Sequence, residues 1–158
     1  VFTPQTALKD GNHTITINAS DNDGNAATTV SSTFTIDTVP PTLTISSPAA
    51  GLITNKSALT VTGKTNDATS SPITLTMTLN GTSLGSVAVE TDGSFSKAVT
   101  LAEGTNSIVV TAKDGAGQTT SITLSVKLDT TVPVLKGITL APNPVSTSAS
   151  VAITVEVS

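Results

Sequence analysis

The sequence predicts an all-β protein: tandem Greek-key β-sandwiches, one complete and two partial. Three observations carry that expectation. First, 32 Thr and 19 Ser stand among the 158 residues, and a branched Cβ suits a half-exposed pleated face better than a helix. Second, no stretch of strong helix formers places apolar residues at i, i+3, i+4 and i+7. Third, the chain repeats itself. Leu8–Pro40 and Leu101–Pro133 align with a shift of 93 residues, which pairs Gly11 with Gly104, Ile15 with Ile108, Asp21 with Asp114 and Pro40 with Pro133. A period of that size matches one immunoglobulin-like domain of roughly 100 residues.

Taken along the chain, residues 1–38 read as the C-terminal strands of a partial module. The complete module spans 41–129, and its strands follow from alternation of apolar and polar residues. Leu43 and Ile45 face inward on a first strand, Leu59 and Val61 on a second, and Ile73, Leu75, Met77 and Leu79 on a third. Asn80-Gly81 supplies the positive φ values of a tight hairpin turn. Val87 and Val89 return, with Gly85 as a bulge where the alternation shifts parity. Asp92-Gly93 makes the next turn before Phe95, Val99 and Leu101. Ile108, Val110 and Ala112 run into an Asp114–Gly117 turn, and Ile122, Leu124, Val126 and Leu128 close the sandwich at seven strands. Residues 134–158 read as the N-terminal strands of a further partial module, with Ile138, Leu140, Val151, Ile153, Val155 and Val157 inward. Asp37-Thr38-Val39-Pro40-Pro41 and Asp129-Thr130-Thr131-Val132-Pro133 are the linkers, which proline stiffens.

Composition removes several function classes. All seven basic residues are Lys, the net charge is −4, and Phe2, Phe34 and Phe95 are the three aromatics, so nucleic-acid binding has no footing. Without Trp or Tyr there is no platform for direct sugar binding. Zero Cys removes disulfides, thiolate metal sites and thiol chemistry. No apolar run reaches the roughly 18 residues of a membrane span, and the sequence is expected to carry no signal peptide. A segment internal to a longer, extracellular or cell-surface polypeptide is expected.

The motif A-x-D-x-x-G-N (Ala19, Asp21, Gly24, Asn25), followed by a strand and D-T-V-P-P, resembles the bacterial Ig-like repeats of surface adhesins and secreted multidomain proteins. T-G-K-T, D-G-S-F and L-A-E-G-T-N-S-I-V-V-T-A-K-D, between Thr62 and Asp114, resemble the subfamily named for a glucodextranase accessory domain. The resemblance implies the fold and little about function, because its motifs are turn and linker residues. Gln118 stands where the family usually has Asn.

Most candidate sites dissolve on inspection. Gly81-Thr82-Ser83-Leu84-Gly85 matches the G-x-S-x-G nucleophile elbow, yet that chemistry needs a strand-to-helix turn and a later acid and His. The single histidine, His13, lies upstream in another module and reads as an exposed polar residue beside a turn. Gly63-Lys64-Thr65 lacks the earlier glycine of a phosphate loop, since Ala58 occupies that place. Asp21-Asn22-Asp23-Gly24-Asn25 begins like a helix-loop-helix calcium loop, but Ala26 and Ser32 stand where that loop needs Gly and Glu. Asn12, Asn18, Asn55 and Asn80 begin glycosylation sequons, about as many as a Ser/Thr-rich chain gives by chance.

One constellation remains. In a tandem sandwich the loop after the second strand and the turn after the sixth lie at the pole facing the preceding module. These carry Asn66-Asp67 and Asp114, and the preceding module's last strand ends there with Asp37. Asp37, Asp67 and Asp114 are therefore candidate ligands for Ca²⁺ at the interdomain joint, because Ca²⁺ favours clustered oxygens; the resemblance to adhesin repeats adds to this. The alternative is that Asp37 and Asp114 cap their own turns and Asp67 is solvated. Asp129 would serve the next joint.

The expected protein is not an enzyme. The leading reading is a structural or adhesive spacer whose partners are neighbouring Ig-like modules of the same or an adjacent chain, without membrane insertion. A subunit of an extracellular filament or virion, assembled by strand complementation, is one alternative. An accessory module of a secreted carbohydrate-active enzyme is another.

Overall fold

The structure, a computed structural model, describes residues 3–67, 69–141, 150 and 152–157. Among these residues there is no helix, and hence none long and apolar enough to cross a membrane.

Residues 11–36 form a hairpin of β1 (Gly11–Ile17) and β2 (Val30–Ile36), antiparallel from Gly11↔Ile36 to Ile17↔Val30. The central module is a sandwich of two sheets. One holds β3 (Thr42–Ser47), β5 (Ala58–Asn66) and β8 (Ser94–Thr100) in the order β3-β5-β8. The other has the order β4-β10-β9-β6-β7, from β4 (Ile53–Thr54), β6 (Thr74–Leu79), β7 (Thr82–Val87), β9 (Gly104–Lys113) and β10 (Thr119–Leu128). A last antiparallel hairpin pairs β11 (Leu135–Ala141) with β12 (Ala152–Val157).

The expected seven strands become eight in the central module. The addition is β4, two residues long, which crosses from the first sheet to pair parallel with Lys127 and Leu128 of β10. So short an edge carries no alternation to read. The expected turns are present. Asn80 and Gly81 both have positive φ, and Gly85, also at positive φ, lies in the register shift between β6 and β7.

The core lies between the two sheets. Val61, Phe95 and Val99 from the first meet Leu75, Met77, Ile108, Val110, Ala112, Leu124 and Val126 from the second, all buried. Gly63 explains its own place in T-G-K-T: a Cβ there would strike the Thr44 carbonyl and the Phe95 ring. The buried Asn106 is satisfied rather than functional. Its amide donates to the Ala102 and Gly104 carbonyls, and its Oδ1 accepts from Ala102 N and Asn80 Nδ2.

Two sequence expectations change here. Ile45, Leu59, Ile73, Leu79, Val89 and Ile122, read as inward, pack against the core but are only partly buried. Ile138, Leu140, Ile153, Val155 and Val157, read as inward, are exposed, at 50% or more each. Among the described residues no second sheet covers β11 and β12, so their apolar face meets solvent. Val151 lies outside the described residues.

Candidate metal centre

Three strands end at one pole of the central module, and each ends on an aspartate: β2 before Asp37, β5 before Asp67 and β9 before Asp114. Each carboxylate is turned by its own loop. Asp114 Oδ1 accepts the N–H groups of Gly117 and Gln118 at 2.7 and 2.8 Å, in a turn where Gly117 adopts φ +99°. Asp67 Oδ1 accepts Thr69 N and Ser70 N at 2.7 and 2.8 Å. Asp37 Oδ1 accepts Val39 N at 3.1 Å. Such bonds from a short side chain to backbone two to four residues on are the ordinary chemistry of Asx turns.

The turns leave the second oxygens over. Asp37 Oδ2 and Asp114 Oδ2 are buried and have no hydrogen-bond partner, and Asp114 as a residue is 5% exposed. One oxygen from each of Asp37, Asp67 and Asp114 lies within 4.8 Å of the others. The two ion pairs among the described residues, Lys64–Asp92 and Lys127–Asp129, involve none of the three. At 4.8 Å, two carboxylate charges repel by roughly 3 kcal/mol at an effective dielectric of about 20. A buried carboxylate oxygen without a partner adds a desolvation cost. Oxygens bound to one Ca²⁺ at about 2.3–2.6 Å are at most about 5.2 Å apart, so the cluster is compact enough to share one ion. The exposed Asn66, at the end of β5, is the neighbouring amide.

The linker is fastened to the same pole. Thr120 Oγ1 donates to the carbonyl of the buried Pro41 at 2.6 Å, and Thr65 Oγ1 donates to the Thr42 carbonyl at 2.7 Å. Gly115 N donates to the Ser70 carbonyl, joining the Asp114 turn to the Asp67 loop.

The remaining motifs are structural. Ser83 is exposed, and its hydroxyl accepts Gly85 N at 3.2 Å inside the hairpin. Lys64 of the G-K-T run lies on β5 and pairs with Asp92. His13, read as exposed, is half-buried. Its ring stacks on Phe34 at 5.5 Å, and Nε2 lies 2.7 Å from the Lys9 carbonyl oxygen. Spacing could not reveal this, because the contact crosses the β1–β2 register at His13↔Phe34. The repeat shift sets Asp10 against Glu103 but says nothing of the bonds by which their carboxylates grip Thr38 and Thr130.

Comparison with known proteins places this architecture. Residues 1–38 match the family model described as bacterial Ig-like domain. Bacillopeptidase F of Bacillus subtilis (strain 168) is 31% identical over 131 residues, which are 83% of this chain but 9% of that protein. Fibronectin(III)-like modules of Clostridium thermocellum CbhA superpose with a TM-score of 0.50 at 18% identity, over 78% of this chain and 65% of theirs. A tetra-tandem repeat from the extending region of a large adhesion protein gives a TM-score of 0.49 at 20% identity, over 94% of this chain and 46% of that one. Residues 41–130, more than half of the chain, match the model for glucodextranase domain B, and the chain belongs to that family of immunoglobulin-like modules.

Proposed function

We propose that the chain is a non-enzymatic spacer in a larger extracellular bacterial protein, and that Ca²⁺ held by Asp37, Asp67 and Asp114 stiffens its first interdomain joint. The observation that carries the reading is the pair of buried, partnerless oxygens, Asp37 Oδ2 from one module and Asp114 Oδ2 from the next. Two charged groups left in that state favour either a bend that separates them or a cation that joins them. A cation drawing ligands from both sides of a linker removes the bend and holds successive modules at one angle. The three aspartates would supply the anionic oxygens, and backbone carbonyls or water would complete the six to eight that Ca²⁺ takes.

The low-charge, Thr-rich surface and the absence of a nucleophile–base pair among the described residues support a mechanical role. A second, compatible reading is favoured by the family match and by bacillopeptidase F: the spacer serves as an accessory module of a secreted enzyme. Calorimetric titration of the 158-residue chain with Ca²⁺ tests the joint. Heat of binding in the parent and little in Asp114→Asn is expected, because the variant removes the charge but keeps the size. Equal heats in the two, or none in either, would refute the cation.

A further inference from the structure

Both module ends carry the same device. Asp10 stands just before β1, and its carboxylate accepts Thr38 N through Oδ1 at 3.1 Å and the Thr38 hydroxyl through Oδ1 and Oδ2 at 3.0 Å each. Glu103 stands just before β9, and it accepts Thr130 N through Oε1 at 3.2 Å and the Thr130 hydroxyl through Oε2 at 2.8 Å. In both cases the gripped threonine follows the module's terminal aspartate, Asp37 or Asp129. That aspartate in turn accepts the N–H two residues on, Val39 N at 3.1 Å or Thr131 N at 3.2 Å.

The registers explain why the acid is there. Gly11 pairs with Ile36, so one step further Asp10 faces Asp37. Gly104 pairs with Leu128, so one step further Glu103 faces Asp129. Two like charges directly opposite on antiparallel strands repel. The threonine offers two donors to one acid; of the facing carboxylates, Asp129 Oδ2 is taken by Lys127 Nζ at 3.2 Å, whereas Asp37 Oδ2 is left without a partner. Thr38 N belongs to the peptide unit that follows the Asp37 Cα, so a bond to that N–H fixes the rotation about the Asp37 Cα–C bond. The bond from Val39 N then holds the side chain. What is left is Asp37 Oδ2, buried and partnerless, on a carboxylate that has one oxygen within 4.8 Å of an oxygen from each of Asp67 and Asp114.

We infer that Asp10 is a positioning residue for the cation at the first joint, and that Glu103 sets the linker in the same way at the far end of the central module. The part played by Asp10 rests on the cation reading above. It touches no ligand oxygen and acts through the backbone that carries Asp37. A local cap that merely ended the hairpin would alter hairpin stability and leave metal affinity alone.

Ca²⁺ titrations of the 158-residue chain, with Asp10→Ala, Asp10→Glu and Asp114→Asn beside the parent, separate these roles. Outer partners of metal ligands contribute roughly 10- to 100-fold in affinity, so Asp10→Ala is expected to weaken binding about tenfold. Asp10→Glu should restore most of it, since Glu103 makes the same grip. Melting of the metal-free central module should be unchanged in both. Amide hydrogen exchange without metal should quicken at Thr38 in Asp10→Ala and at Thr130 in Glu103→Ala. Binding by Asp10→Ala within about twofold of the parent, with Asp114→Asn impaired, would overturn the positioning role alone, being below the outer-partner range. No uptake by the parent would overturn the cation and this role with it.

Discussion

Asn25 donates its side-chain amide to Asp21 Oδ2 at 2.8 Å, while Gln118, which occupies the matching place 93 residues on, leaves Asp114 Oδ2 with no partner. The two turns are otherwise alike: each aspartate Oδ1 accepts the N–H of the residue four places on, Asn25 or Gln118. Gln118 makes no hydrogen bond to Asp114 Oδ2 of the kind that Asn25 makes to Asp21 Oδ2. Gln118→Asn should therefore cap Asp114 Oδ2 from within the turn and compete with Ca²⁺. Weaker Ca²⁺ binding by this variant is the expected titration result, and unchanged or tighter binding would count against it.

The exposed Asp92 offers a pH test free of any metal. Its carboxyl is held down to about 2, from the ordinary 3.8, first by the Ser94 hydroxyl, then by Ser94 N and then by Lys64. A depressed folded-state value means the stabilisation is present above about 3.8 and lost as the pH falls toward about 2. NMR titration of the Asp92 carboxyl carbon should show Ser94→Ala raising the midpoint more than Lys64→Ala does. The reverse order would mean that the ion pair, both of whose partners are largely exposed, dominates after all.

Core packing gives a prediction of different size. Val110 is fully buried, bonded between Met77 on one side and Ile122 on the other, whereas Ile122 is only partly covered. Val110→Ala should cost about 2–3 kcal/mol, near the low end for core truncations because only two methyl carbons are lost. Ile122→Ala should cost less per carbon removed, since its site collapses into solvent. Urea unfolding of both variants checks the ranking. A larger loss per carbon at Ile122 than at Val110 would mean that the rim of the β9–β10 pair is covered.

Much of this architecture was legible because alternation and turn chemistry are local. Leu75, Met77, Ile108, Val110 and Val126 are buried where period two places them, and Asn80-Gly81 turns where positive φ is needed. Alternation says which face is apolar and not what covers it, so Ile138, Leu140, Ile153 and Val155 were misplaced. The tandem-sandwich topology puts Asp37, Asp67 and Asp114 at strand ends on a common pole. It is blind to which oxygen each turn consumes, and hence to the orphaned Oδ2 atoms. The grip of Asp10 on Thr38 escaped because it joins residues 28 apart, and the shift that aligns Asp10 with Glu103 sets Thr38 against Thr131 rather than the gripped Thr130.

Selectivity between cations follows from the spread of the three oxygens. They lie within 4.8 Å of one another. Mg²⁺ demands bonds of about 2.0–2.1 Å in a near-octahedral shell, which keeps its oxygens within about 4.2 Å and makes it slow to give up water. Ca²⁺ at about 2.3–2.6 Å accepts oxygens up to about 5.2 Å apart, which covers any separation up to 4.8 Å. The three ligands also come from three separate loops anchored by their own N–H bonds, so contraction around a small ion would strain all three turns. Ca²⁺ should therefore raise the stability of the joint where equimolar Mg²⁺ does little. Mass action sets the scale: about 2.7 kcal/mol at a hundredfold excess over the dissociation constant, vanishing when a chelator removes the ion. Thermal unfolding of the 158-residue chain with Ca²⁺, with Mg²⁺ and with chelator reads this directly. The melting temperature should climb with the logarithm of Ca²⁺ concentration and lose that slope in Asp37→Asn. A slope of equal size for the two ions would mean loose screening of three negative charges rather than coordination.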